Sequence, residues 1–386
     1  MAQAPLGMLK NMDRIQVIPV RGKKELSAFL RLPWKIYRDD PAWVPPLLLE
    51  RKHLLSRRHP YFKHAEAQFF LALRQGEPVG RISAQIDRLA LARYGPVGHW
   101  GLLEAVEDEE VFAALFQAVE KWLKDRGMKR LLGPFNLSIN QECGLLIKGF
   151  ETPPSFLMGH ARPYYQERLE ALGHVKARDL LAYLMKRERE TLERVKRLIP
   201  RSSVTVKTRA INKKKLAQEL DLIFKIFNEA WSENWGFVPF RREEYLHLGT
   251  LLKYLVPAEL VRVAEIEGQP VAFIAVLPNF NEILADLDGR LFPWGWGKLL
   301  WRLKFAPPKS ARVVLMGMRK RYQASIQGPL LIVKLIDDIR RILLEMGVER
   351  LEISWILEDN LRMKRLAEAL AGPPYKVYRI YQKELT

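Results

Sequence analysis

The chain carries two copies of one hairpin-like segment, and a fold for it must accommodate the same local structure twice. Phe69–Arg74, Gln75-Gly76 and Glu77–Ala84 form an apolar-rich run, a tight Gly-containing turn and a second apolar run, with Pro78 near the start of the latter. Val261–Ile266, Glu267-Gly268 and Gln269–Val276 repeat that order, with Pro270 in the matching place. A two-residue turn between apolar runs predicts a β-hairpin, and a proline at a strand start lacks only a donor the ladder does not need there. Two further matches follow downstream. Gly127-Met128-Lys129-Arg130-Leu131 resembles Gly347-Val348-Glu349-Arg350-Leu351, and Arg168–Gly173 resembles Arg365–Gly372. Constant order with drifting spacing is what a duplicated domain with divergent loops leaves in a sequence.

A length of 386 residues and 48% hydrophobic content suit two cores, so the reading is an α+β protein of two tandem domains, 1–195 and 196–386. Each is expected to hold a mixed, mostly antiparallel sheet flanked by helices. In the first half, strands are predicted at 15–19, 97–103, 130–132 and 180–185 besides the hairpin, with helices at 23–37, 108–126 and 164–171. The helix at 108–126 places Val111, Ala114, Leu115, Ala118, Val119, Trp122 and Leu123 on one face. In the second half, strands at 204–208, 313–318, 351–355 and 377–383 alternate with helices at 213–231, 243–255, 329–346 and 361–370. The charged stretch 186–197 reads as a solvated connecting helix.

Sixty-three basic residues against 44 acidic ones give a formal charge of +19, which predicts an anionic partner. A phosphorylated cosubstrate, an acidic carrier protein, a membrane surface and nucleic acid all fit that charge. No recognisable nucleic-acid module appears in the element order, so nucleic acid ranks last. The single Cys143 excludes an internal disulfide and a multi-cysteine zinc site, and reads as a small apolar residue. The seven histidines form no H-E-x-x-H or close pair, so no metal is expected. No secretory signal and no apolar run of about 18 residues is present, which predicts a cytoplasmic protein, with peripheral attachment to the inner membrane left open.

The two halves differ at one junction. In the second, the run Val313–Met318 leads into the basic, small-residue loop Arg319–Gly328 and then into a helix near Pro329. Backbone N–H groups at a helix start beside cations suit a pyrophosphate, and a basic surface turn is the plain alternative. In the first half the corresponding segment, Gly101–Glu110, carries acidic residues before its helix; they suit a helix N-terminus but repel phosphate.

This loop resembles that of the GNAT N-acyltransferases, whose Q/R-x-x-G-x-G/A motif binds the pyrophosphate of acyl-coenzyme A. The matching residues are Gln323-x-x-Ile326-x-Gly328, with a departure at Ile326 where the family has glycine. That departure implies a reshaped loop or a different acyl carrier. More of the chain, through Trp43-Val44-Pro45-Pro46, Gly133–Gly144, Asn234–Pro239 and Ser354–Asn360, resembles a bacterial group of double-GNAT proteins related to the bacterial ceramide synthases, which acylate an amine on a long-chain base. The resemblance implies acyl-CoA or acyl carrier protein as donor, held by Met318, Gln323, Ala324, Ser325 and Gly328. The backbone N–H near Met318 is implied as donor to the thioester oxygen.

Acyl transfer to an amine needs a base, an oxyanion donor and an acid for the thiolate. Glu358 and Glu282 are the candidate bases or catalytic carboxylates and Tyr322 the candidate acid; a solvated capping role is the alternative for Glu358. Asn136, Asn140 and Glu142 form an amide- and carboxylate-rich cluster able to bind a polar head group, though Asx turns explain asparagines equally well. Asn279, Asn281 and Asn360 complete the candidate substrate contacts, with turn and helix-cap roles as their alternatives. The first domain is thus expected on the acceptor side and the second on the donor side.

Gly76 to Gly127 spans 51 positions and Gly268 to Gly347 spans 79, so the second half holds an insertion, placed near 280–309. Its segment Leu291–Phe305 interleaves three tryptophans and two phenylalanines with Lys and Arg, the composition of an interfacial membrane segment, a lipid-chain entrance or a packed lid. Two other functions stay open: a Fem-like aminoacyl transferase using charged transfer RNA, and a non-catalytic lipid- or partner-binding protein in which Ile326 marks a lost site.

Overall fold

The computed structural model describes residues 14–186 and 205–385. The expected boundary at 195 and most of the connecting helix lie outside them. In chain order the elements are β1 (Gln16–Pro19), α1 (Lys23–Ile36), α2 (Leu48–Leu54), β2 (Ala65–Arg74), β3 (Glu77–Asp87), α3 (Arg88–Tyr94), β4 (Val97–Ala105), α4 (Glu109–Lys124), β5 (Arg130–Gly133), β6 (Leu145–Lys148), α5 (Tyr164–Ala171) and β7 (Val175–Lys186). The second half supplies β8 (Val206–Ala210), α6 (Leu216–Trp231), α7 (Arg242–Leu252), β9 (Val261–Ile266), β10 (Gln269–Pro278), α8 (Asn281–Leu284) and α9 (Gly295–Phe305). It ends with β11 (Ser310–Met318), α10 (Lys320–Gln323), α11 (Gln327–Glu345), β12 (Arg350–Leu357), α12 (Leu361–Ala371) and β13 (Lys376–Glu384).

The chain forms two compact units that trade segments. Among the described residues, one unit comprises 14–179 with Asp286–Leu291 and 378–385; the other comprises 180–186, 205–285 and 292–377. In the first, β1-β2-β3-β4-β5-β13 lie in that order, antiparallel except for the β4–β5 pair. In the second, β8-β9-β10-β11-β12-β7 repeat the pattern, with β11–β12 the parallel pair. The sheets are mixed and mostly antiparallel, as the sequence predicts. The exchange of closing strands is not legible in it: β5 pairs with the chain's last strand through Tyr381↔Gly133, and β12 pairs with Leu180–Lys186.

The repeat holds to the level of single dihedrals. Gln75 and Gly76 have φ of 52° and 81°, and Glu267 and Gly268 have 51° and 74°, so both turns use left-handed backbone at both central positions. Both hairpins then bulge one residue after the proline, where the register passes over Val79 and Val271. The helical stripe expected over 108–126 is α4, which buries Val111, Leu115, Val119 and Leu123, and also Phe112 and Phe116. In the second unit, α6 buries Ile223, Phe224, Ile226 and Phe227 against Val263 and Phe273. The expected insertion is divided between the units: Gly289 O accepts from Leu48 N at 3.0 Å in the first, whereas α8 and α9 belong to the second.

Tyr378, Ile380 and Tyr381 of the exchanged strand are fully buried. A fragment ending at residue 195 lacks them, together with the partner of β5, and is expected to show no cooperative thermal transition by circular dichroism. A cooperative melt of that fragment would contradict the exchange.

His174 lies within the aromatic core of the first unit, 4.6 Å from Phe116 and 5.9 Å from Trp100 between ring centroids. Burial, and secondarily the charge of Lys383, push its imidazole down from 6.5 to about 3. Between those values the unfolded chain binds a proton that the folded chain refuses, so the contribution is complete above pH 6.5 and falls as the pH drops. Each pH unit in that window costs about 1.4 kcal/mol. His174→Phe keeps a ring in the slot and is expected to flatten the fall in melting temperature between pH 6.5 and 4.

Candidate active site

In each unit the parallel strands pair only at one end. The β4–β5 register ends at His99↔Leu132 and the β11–β12 register at Val313↔Ile353. Beyond these points the strands separate, and their inward backbone groups need other partners.

The first unit fills its gap from within. The loop after β5 folds back so that Phe135 N donates to Trp100 O at 2.7 Å and Leu102 N donates to Asn136 Oδ1 at 2.8 Å. A Cβ on Gly101 would lie 1.8 Å from Phe135 O, so this fit requires glycine. The following helix is capped as well: Asp108 Oδ1 accepts from Glu110 N at 2.9 Å and Val111 N at 3.4 Å, and Asp108 Oδ2 pairs with Arg74 at 2.6 Å. A carboxylate thus takes the helix-start donors that an anionic ligand would need.

The predicted Asn136 and Glu142 do converge here. Asn136 Nδ2 donates to Glu142 Oε2 at 3.0 Å, and Glu142 Oε1 pairs with Arg51. Asn140 lies in the intervening turn, its amide donating to Ser138 Oγ at 3.2 Å. Besides Arg51, four residues that the sequence reading missed extend the cluster. Arg81 Nη2 lies 3.7 Å from Glu104 Oε1, Tyr165 OH donates to Glu104 Oε2 at 2.9 Å, and burial, with the neighbouring Glu104 carboxylate second, raises the Tyr37 hydroxyl. Burial raises the Glu104 carboxyl against the opposing charge of Arg81. Burial also acts to raise Glu142, but the charge and hydrogen bond of Arg51 outweigh it and the carboxyl sits below its ordinary range. A charged residue in the middle of β3 (Arg81) and another in β4 (Glu104) were the only available signals.

In the second unit the corresponding helix start is chemically different. Ile326 precedes α11 without a side-chain cap, and the first turn holds no acidic residue. Met318, Gln323 and Gly328 are brought together: Gln323 Nε2 donates to Met318 O at 3.1 Å, and a Cβ on Gly328 would meet Tyr322 O at 2.5 Å and Met318 Cε at 3.5 Å. The open amide cradle anticipated for this loop is not its form in the structure. Lys320–Gln323 is a helical turn, in which Tyr322 N donates to Arg319 O, Ala324 N and Ser325 N to Tyr322 O, and Gly328 N to Ser325 O. Two of the loop cations are also engaged, Arg319 with Glu229 at 2.8 Å and Lys320 with Glu233. Their acidic partners are about 90 residues away in the chain, beyond any local pattern. Arg321 is exposed, its guanidinium 4.9 Å from the Tyr322 ring centroid.

Met318 itself remains paired with Ala272, and Arg319 N donates to Val271 O, so the backbone there continues the β10–β11 ladder. The irregularity lies four residues earlier, at Val314, which the register passes over between Ala275↔Leu315 and Val276↔Val313. Because neighbouring backbone N–H groups alternate in direction along a strand, the Met318 N–H then faces away from β10, on the side where β12 has separated, and the bulge at Val314 lies where β11 leaves β12. Trp231 Nε1 donates to Met316 O at 2.9 Å and its ring meets Trp355 at 5.6 Å, lining the separating strands with indole.

Glu358 stands five residues past Ile353, as Met318 stands five past Val313, so both occupy the open end of the parallel pair. Arg362 ties this region to the loop by donating to Gln323 O at 2.6 Å. Asn360 caps α12, accepting from Met363 N at 3.3 Å, which assigns it the structural role. Glu282, Asn279 and Asn281 are corrected in position. Asn279 Nδ2 donates to Ser310 Oγ at 3.0 Å, and Glu282 accepts from Lys309 N at 2.6 Å and from Ser310 Oγ. Asn281 opens the adjoining α8, with Ala285 N donating to its carbonyl oxygen. They anchor the beginning of β11, about 26 Å along the strand from Met318. Glu282 is too far from the loop to act with it.

Arg51 and Glu142 are a partly buried ion pair, so Arg51→Met leaves the carboxylate without its cation. A loss of about 3 kcal/mol in urea unfolding is expected, against about 1 kcal/mol for Asp108→Ala at the half-buried helix cap.

No protein-family model matches the chain. It is 47% identical over 365 residues to protein YghO of Escherichia coli, covering 94% of both chains, and 44% identical over 378 residues to the bacterial ceramide synthase of Caulobacter vibrioides, covering 96% of this chain and 98% of that one. Among solved structures it resembles a tandem GNAT protein of the clavulanic acid biosynthesis pathway, with TM-score 0.55, 12% identity and coverage of 97% and 99%. It also resembles a GCN5-related N-acetyltransferase from Sphaerobacter thermophilus, with TM-score 0.51, 14% identity and coverage of 97% and 96%. At these identities the structural likeness is one of fold, and the fold is the tandem GNAT arrangement.

Proposed function

Because the chain belongs to the family that includes YghO and the bacterial ceramide synthase of Caulobacter vibrioides, we propose that it is an N-acyltransferase. In this reading it moves an acyl group from acyl-CoA or acyl carrier protein to an amine, with a lipid or long-chain base as the acceptor class. The observation that carries the reading is the asymmetry of the two parallel-strand gaps. The first is closed by Asn136 and Asp108, whereas the second opens toward a basic loop and a helix start without a carboxylate cap.

The donor belongs with the second unit. Its acyl thioester lies along the separating β11 and β12, where the Met318 backbone N–H, facing away from β10, donates to the thioester oxygen as negative charge develops there. With several loop amides used internally, recognition of donor phosphate falls more heavily on exposed cations such as Arg321 and Arg362. The acceptor amine attacks the thioester carbon, the C–N bond forms and the C–S bond breaks. Glu358 takes the proton released by the attacking nitrogen, directly or through one water, and Tyr322 supplies a proton to the departing thiolate. The Arg51, Asn136, Glu142 and Glu104 cluster of the first unit offers both signs of charge to an acceptor head group.

Calorimetry with acyl-CoA of increasing chain length, and with acylated carrier protein, tests the donor; absence of binding by every one of them removes the reading. Glu358→Gln is expected to lower kcat by about 10²- to 10⁴-fold while donor affinity is retained. Turnover that requires charged transfer RNA and ignores acyl thioesters would transfer the chain to the aminoacyl-transferase class.

A further inference from the structure

Helix α9 is amphipathic in the opposite sense to a helix docked on a core. None of its residues is buried, and Trp294, Trp301 and Phe305 are 84%, 58% and 62% exposed. With Lys298 these residues fall at i, i+4, i+7 and i+11, one stripe of the helix. Leu300 and Phe292 add exposed apolar surface beside it, and Lys304 and Lys309 are also exposed. The less exposed side of the helix, Leu299, Arg302 and Leu303, faces inward, and Arg302 fastens it to the second unit by donating to Ile283 O at 2.9 Å. The aromatic stripe is therefore held outward by a defined anchor.

We propose that this face docks on an anionic bilayer surface. Tryptophan and phenylalanine between lysines match both layers of such a surface: rings enter the boundary between headgroups and acyl chains, and ammonium groups remain among the phosphates. Eleven residues of helix extend about 16 Å, well short of the roughly 30 Å of hydrocarbon, so α9 lies along the surface instead of crossing it. No described helix is long and apolar enough to span a membrane. The overall formal charge of +19 favours the same partner. A second copy of the chain is the less suited occupant, because a two-fold contact would bring Lys298 and Lys304 toward the same residues of the other copy. The inference is independent of acyl transfer and needs no donor or acceptor.

Sedimentation of the full chain with vesicles of phosphatidylcholine alone, or of phosphatidylcholine mixed with phosphatidylglycerol, tests it. Preferential binding to the mixed vesicles is expected, with a blue shift of tryptophan emission that weakens as salt is added. Trp294→Ser with Trp301→Ser alters two exposed positions and is expected to reduce partitioning by roughly tenfold or more, while near-ultraviolet circular dichroism confirms that the fold is kept. Lys298→Glu with Lys304→Glu is expected to abolish the preference for phosphatidylglycerol. Three outcomes overturn the proposal: wild-type protein left in the supernatant with both vesicle types, equal binding to both, or a dimer by light scattering that the tryptophan substitutions dissociate. None of these measurements reads turnover, so a missing acyltransferase activity and a missing membrane contact are separately visible.

Discussion

The short parallel pairing within each unit is the constraint from which the rest of the site follows. Two parallel strands that pair over three or four residues and then diverge expose backbone donors and acceptors that must find partners elsewhere. The first unit meets the requirement with its own chain, through the Phe135 backbone and the Asn136 side chain. The second lines the same place with a strand bulge and two tryptophans. One backbone plan thus yields a gap plugged by its own loop and a gap bordered by a bulge and two indole rings.

Electrostatics reinforce the division. Asp108 satisfies the helix-start amides of the first unit, and no carboxylate occupies the first turn of α11 in the second. The basic loop before α11 is less exposed in its charge than its composition implies, since Glu229 and Glu233 neutralise Arg319 and Lys320. These pairs also hold the loop to α6 and the residues just after it, which makes its shape a property of the second unit's packing as well as of its own sequence. Gly328 has the same dependence, because its place beside Tyr322 O leaves no room for a side chain.

Much of the fold was legible because its signals are local. Both hairpin turns, the buried stripe of α4, the position of the loop before α11 and the difference between the two junctions follow from residues within a few positions of one another. The site was legible in part. Asn136 and Glu142 converge as expected since six residues of loop bring them together, and Glu358 reaches the open strand end because β12 delivers it there. Glu282 was misplaced because only the pairing of β10 with β11 reveals that the residues after β10 return to the far end of the strand. Arg51, Arg81, Glu104 and Tyr165 escaped notice because each is an ordinary residue in its own segment and acquires meaning from partners tens of residues away.

The sequence by itself determined the duplication, the turn chemistry, the opposite charge of the two junctions and the aromatic character of the segment before β11, all of which depend on side-chain identity and short-range backbone sterics. Tertiary structure decided which strands close each unit, which cations the loop retains for solvent, and that the α9 aromatics face outward. Those outcomes depend on pairings between residues far apart in the chain, where sequence distance carries no information about spatial distance.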